Sequence, residues 1–126
     1  MARIVLYGFD GSTYVRTVRM LLPEKGAQYE QVPVHVLKGE PRQPEHLARH
    51  PFGKVPVLDY DGFRIIETSA IAPFLDEVLP GPSFTPDNPK DRAHAHGNGY
   101  HRLLWVWRIG CGGRLSSVPR IHWRTE

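Results

Sequence analysis

A serine stands where an early apolar run gives way to a helical pattern. Ile4 to Tyr7 is a short continuous apolar stretch closed by Gly8 and Gly11, and Ser12 opens the segment that follows. A hydroxyl there can cap the helix, a preferred role for serine. It can also donate a hydrogen bond to an anion that the helix N-terminus favours, with Thr13 as the neighbouring alternative. Val55-Pro56 opens a second apolar run, and Glu67-Thr68 precedes a further helical pattern as an acidic-hydroxyl pair suited to capping. Arg42 and Lys54 lie in and beside a loop rich in glycine and proline, where a cation can hold an anion.

The other chemically able residues fall late in the chain. His94, His96 and His101 offer imidazoles, but glycines surround them and no carboxylate accompanies them, so no metal site is expected. Cys111 is the single cysteine, which excludes an internal disulfide framework and favours a reducing compartment. Nothing near it would activate the thiol. Arg102, Trp105, Trp107 and Arg108 interleave cations with aromatics, as membrane-surface and nucleic-acid patches do, but a disordered tail is the plainer expectation.

Charge and length narrow the classes further. Residues 1–93 hold 11 Lys+Arg against 12 Asp+Glu, whereas residues 94–126 hold five against one, so the basic excess of +3 belongs to the tail. The main body is therefore not a nucleic-acid module. The longest apolar runs, Ile4 to Tyr7 and Leu103 to Trp107, fall far short of the roughly 18 residues that a spanning helix needs. Neither nucleic acid nor membrane is an expected partner.

The elements that must position the candidates follow from periodicity. A length of 126 residues with 40% hydrophobic content allows one domain, or one small domain plus a fragment. Ile4 to Tyr7 suits a strand buried on both faces. Val15, Val18 and Leu22 then recur at helical spacing, with Gly26 as the stop. Val32, Val34 and Val36 alternate as a second strand, near an edge because of Pro33. Residues 39–53 read as loop with a short helix around Glu45 to Arg49. Val55 to Tyr60 and Phe63 to Ile66 flank Asp61-Gly62, the pair a two-residue type I′ turn prefers. Thr68 or Ser69 caps a helix carrying Ile71, Phe74, Leu75, Val78 and Leu79, with Pro73 discordant unless it lies in the first turn. The prolines from Pro80 to Pro89 mark a linker, and residues 94–126 lack a sustained period. The expected division is residues 1–80 as a domain, 81–92 as a linker and 93–126 as an irregular tail.

An order of βαβ, loop and ββα, with an X-Pro at the start of the third strand, is that of the α/β thioredoxin-like fold. Within that fold the chain resembles the N-terminal, glutathione-binding domain of the glutathione S-transferases, in the serine-type group near the plant phi and related bacterial enzymes. The resemblance covers roughly residues 3–92. It rests on Gly11 to Arg19, His50-Pro51-Phe52-Gly53, Lys54-Val55-Pro56-Val57-Leu58 and Glu67-Thr68-Ser69-Ala70-Ile71, in that order.

The resemblance implies a set of roles. Ser12, or Thr13 beside it, would favour the glutathione thiolate. Val55, before a cis Pro56, would pair its backbone with the cysteinyl part of the tripeptide. Glu67 and Thr68 would bind the γ-glutamyl amine and carboxylate, and Arg42 and Lys54 the glycyl carboxylate. The family's phi pattern carries a histidine where Pro41 stands here; His50 is a substitute, although a solvated loop histidine is expected. Glutathione would be a co-substrate, with no other cofactor and a small electrophile as the second reactant, in the cytoplasm. A full member has a second, all-helical domain, of which only Asp91 to Ala93 is recognisable, so residues 94–126 read as the truncated or frame-shifted remainder. Without that domain a family-type homodimer is not favoured, and a non-catalytic glutathione-binding or interaction module stands beside the transferase reading.

Overall fold

The computed structural model describes residues 1–81 and 83–97, with side chains through residue 93. The expectations placed on the imidazoles of His94, His96 and His101, on Arg102, Trp105, Trp107 and Arg108, and on Cys111 lie outside the described residues. Among the described residues four strands form one sheet: β1 (Ile4–Tyr7), β2 (Glu30–Val32), β3 (Val57–Tyr60) and β4 (Phe63–Ile66), in the order β2-β1-β3-β4. β1 and β2 run parallel, and the other two pairings are antiparallel. Helices α1 (Thr13–Glu24) and α3 (Thr68–Val78) pack together, α2 (Pro44–Leu47) is short, and α4 (Pro89–Gly97) comes last among the described elements. The expected βαβ then ββα order is present.

Strand periodicity divides the sheet into two faces. Ile4, Leu6 and Leu58 point into a core with Val15, Val18, Leu21 and Leu22 of α1 and Ile71, Ala72 and Leu75 of α3. Phe74 extends that core by meeting the ring of Tyr60 at 5.3 Å, edge to face. The opposite face is more polar. There Tyr7 lies under the Arg49 guanidinium at 4.3 Å, and its hydroxyl donates to Asp59 at 3.4 Å.

Several sequence expectations change in detail. The second strand is Glu30–Val32, not a run through Val36, because Pro33 has no N–H to extend the ladder. Val34 donates a last bond to Gly8, and Val36 already begins a 3₁₀ turn. The Asp61-Gly62 hairpin has positive φ at both residues, 49° and 84°, as a type I′ turn requires. α3 is capped by the backbone of Glu67, so Thr68 is its first helical residue and not its cap. Pro73 lies beyond the first turn, where the lost hydrogen bond costs about 3 kcal/mol in isolation. The helix nonetheless runs on to Val78, because Ile71, Ala72 and Leu75 are buried around it.

Candidate functional site

Register brings the candidate residues together. Tyr7 pairs with Val32 and with Val57, and Val57 pairs with Ile66, so one row crosses all four strands. The segments beyond that row leave the sheet at the same end: Gly8 to Ser12 after β1, Lys54 to Pro56 before β3, and Glu67-Thr68 after β4. Residues far apart in sequence thus meet by strand pairing alone.

The first of these segments is tied down by a residue that sequence reading passed over. Asp10 Oδ1 accepts from Arg19 at 2.8 Å and from Gln31 at 3.0 Å, and the Asp10 carbonyl accepts from Arg16 at 3.2 Å. The only sequence signal was a pair of arginines six and nine residues on. The Ser12 N–H donates to Phe9 O at 3.2 Å, and Ser12 Oγ accepts the Val15 N–H at 3.3 Å as the N-cap of α1. Capping uses one lone pair of the hydroxyl and leaves its proton to donate. Ser12 is half-buried, whereas Thr13 is exposed.

The second segment carries a cis Val55-Pro56 peptide, as the resemblance implied. Its backbone is held by two features. His46, buried in the single turn of α2, places Nε2 2.7 Å from the Lys54 carbonyl. Gly53 adopts φ +62°, and a Cβ there would lie 2.7 Å from the Pro41 carbonyl oxygen, so the loop closes where only glycine fits.

The third segment is strained. Glu67 has φ +71° and ψ 122°, a setting that costs a non-glycine residue roughly 1–3 kcal/mol. Its backbone carbonyl starts α3 by accepting from Ala70 and Ile71, but its side chain makes no cap bond. Oε1 lies 3.6 Å from His50 Nε2. His50 was expected to be solvated and is instead 1% exposed, with its ring edge-on to Phe52 and Nε2 toward Glu67.

A cleft of about 740 Å³ opens at this end of the sheet, within the range of small-molecule sites. Ser12, Thr13, Arg42, Lys54 and Val55 line it, with Tyr14 and Leu37 as apolar neighbours. Glu67 and Thr68 are not among its lining residues. They stand beside the cis-prolyl turn, one and two positions past the Val57–Ile66 pair. Among the described residues no group of three or more His, Cys, Asp or Glu side chains is placed to hold a metal. No helix among them is long and apolar enough to cross a membrane.

A βαβ–ββα domain whose strand ends present a capping hydroxyl and a cis-prolyl turn to one cleft is thioredoxin-like in class. Comparison with known proteins carries this to a family. The model for the glutathione S-transferase N-terminal domain matches residues 2–77, and the chain belongs to the glutathione S-transferase family. It is 42% identical to a maleylacetoacetate isomerase of Rhizobium meliloti (strain 1021) over 128 aligned positions, covering 94% of this chain and 60% of the isomerase. It is 45% identical to glutathione S-transferase 4 of Zea mays over 69 residues, 55% of this chain and 31% of that one. Among solved structures, a maleylacetoacetate isomerase from Methylobacterium extorquens AM1 with bound malonate and GSH superposes with a TM-score of 0.69 at 35% identity, over 74% of this chain and 44% of the isomerase. The chain thus spans 60% or less of the length of these relatives.

Proposed function

We propose that this chain binds glutathione in the cleft at the strand ends and activates its thiol for attack on a small electrophile. The observation that carries the reading is the convergence of Ser12 and Val55 on one cleft that Arg42 and Lys54 also line. A thiol with a pKa of about 8.5 is mostly protonated at neutral pH, and the thiolate is the nucleophile. The Ser12 O–H donates to the sulfur anion while the N-terminus of α1 adds positive potential, and both favour deprotonation. Val55, held beside the cis Pro56, pairs its backbone with the cysteinyl residue. Glu67 and Thr68 take the γ-glutamyl amine and carboxylate, and Lys54 and Arg42 the glycyl carboxylate.

Glutathione is then a co-substrate rather than a resident cofactor, and the cytoplasm is the compartment that supplies it reduced. In conjugation the sulfur stays on the carbon it attacks. The similarity to maleylacetoacetate isomerases favours a second reading, in which the same thiolate adds to an unsaturated substrate and departs after rotation about the former double bond. Titration calorimetry with glutathione, followed by assays of conjugation and of cis–trans isomerisation, tests the reading. Saturable binding weakened by Glu67→Ala supports it. Binding without turnover of either kind makes the chain a glutathione-binding module, and no binding by the folded chain refutes the assignment of the cleft.

A further inference from the structure

His50 is fixed from several sides. Its N–H donates to the His46 carbonyl at 2.8 Å and its carbonyl accepts from Gly53 at 2.9 Å, which anchors it just after α2. Its ring meets Phe52 edge-on, with centroids 6.1 Å apart, and Nδ1 accepts the Phe52 N–H at 3.1 Å. A ring nitrogen that accepts this bond carries no proton, so the neutral imidazole holds its proton on Nε2. That nitrogen faces Glu67 Oε1 at 3.6 Å. The Glu67 side chain is 60% exposed and makes no cap bond to its own helix, and its backbone has a positive φ that disfavours glutamate. A strained, exposed carboxylate facing a buried, pre-oriented donor is a side chain being aimed.

We propose that His50 is a positioning residue for Glu67. Neutral, with its proton on Nε2, it orients the Glu67 carboxylate toward the ammonium of the γ-glutamyl group without itself touching the ligand. The proposal rests on the glutathione reading above. A separation of 3.6 Å is longer than a hydrogen bond, and a small rotation of the exposed glutamate closes it when ligand binds.

Glutathione and its des-amino analogue, in which glutaryl replaces γ-glutamyl, differ only in that ammonium, so titrating the full chain with both isolates the effect. The wild-type chain is expected to bind glutathione roughly tenfold more tightly than the analogue, as for loss of one charge-assisted hydrogen bond. His50→Phe should reduce that preference to about twofold or less while leaving affinity for the analogue unchanged. His50→Asn, whose amide still donates, should retain part of it. Equal weakening of both ligands, or an unchanged preference, would overturn the proposal. If His50→Phe does not fold, the Asn variant carries the comparison, and the long-range nitrogen–proton NMR spectrum of the wild-type ring decides independently. An Nε2-protonated tautomer is expected, and an Nδ1-protonated one would overturn the proposal. A wild-type chain that binds neither ligand refutes the glutathione reading itself, whereas binding with a preference indifferent to His50 refutes only this one.

Discussion

The Ser12 hydroxyl accepts from Val15 and keeps a proton to donate, so capping and thiol activation can be separated by the choice of replacement. Alanine at an N-cap costs about 1 kcal/mol of stability, glycine only a few tenths. Ser12→Ala should therefore unfold at lower urea than Ser12→Gly, yet both should lose conjugation by roughly 100-fold, as expected when one donor to a reacting anion is removed. A glycine variant with wild-type turnover would leave Ser12 as a cap alone and turn attention to Thr13. Asp10 acts one step further back, through the loop that presents Ser12. Its ion pair with Arg19 is exposed, so Asp10→Ala should cost less than about 1 kcal/mol in denaturation. The same variant should lower turnover severalfold, and parallel urea and kinetic measurements would separate the two effects.

The cleft depends on how loops are closed between elements. The stretch from Pro41 to Pro56 has one short α-helix after a 3₁₀ turn, and it holds its shape through His46 on the Lys54 carbonyl and the close approach of Gly53 to Pro41. Gly53→Ala would add a Cβ to a residue at φ +62° and press it against a carbonyl oxygen 2.7 Å away. The expected outcome is a loss of about 1–3 kcal/mol together with weaker glutathione binding, because Lys54 and Val55 follow directly. Thermal unfolding beside calorimetry would check this, and unaltered binding would mean that the cleft does not depend on this closure.

The domain is locked across its helices by a buried ion pair. Lys25 Nζ lies 2.7 Å from Asp76 Oδ1, and the two side chains are 1% and 2% exposed. Asp76 also accepts from the Phe84 N–H at 2.9 Å, from Ser83 at 3.2 Å and from Thr85 at 2.5 Å. Phe84 thereby joins the core, and the ammonium of Lys25 stands 5.5 Å from its ring centroid. The stretch expected to be a linker thus begins against the domain. Removing one partner of a buried pair leaves the other uncompensated, so Lys25→Met should destabilise the chain by about 3–5 kcal/mol in urea titration.

Acid should act on the same point. Burial pushes the Asp76 carboxyl up, but the hydrogen bonds from Lys25, Thr85 and Phe84 outweigh it and hold it below its ordinary value of 3.8. Hydrogen bonding from Arg64 likewise outweighs burial at Asp59, which also lies below 3.8. A group lowered in the folded state stabilises fully above its unfolded value and loses that contribution as pH falls through its folded one. Stability should therefore be flat in this respect at neutral pH and fall below about pH 4, more shallowly in Asp76→Asn, as pH-dependent urea midpoints would record.

What could be read from the chain alone was whatever depends on neighbours in sequence. Asp61-Gly62 specified its turn because both residues tolerate positive φ, and Val15, Val18 and Leu22 marked the buried side of α1 by spacing. Four short motifs in order pointed to the family and to the residues around the cleft. The strain at Glu67, the burial of His50 and the clasp of Asp76 on Phe84 were decided only in three dimensions. Lys25 and Asp76 are 51 residues apart, and His50 meets Glu67 only because the hairpin returns the chain beside the cis-prolyl turn. Periodicity records which side of an element is apolar, whereas the partner of a polar side chain depends on sheet register and on which water is excluded, and both are set by packing.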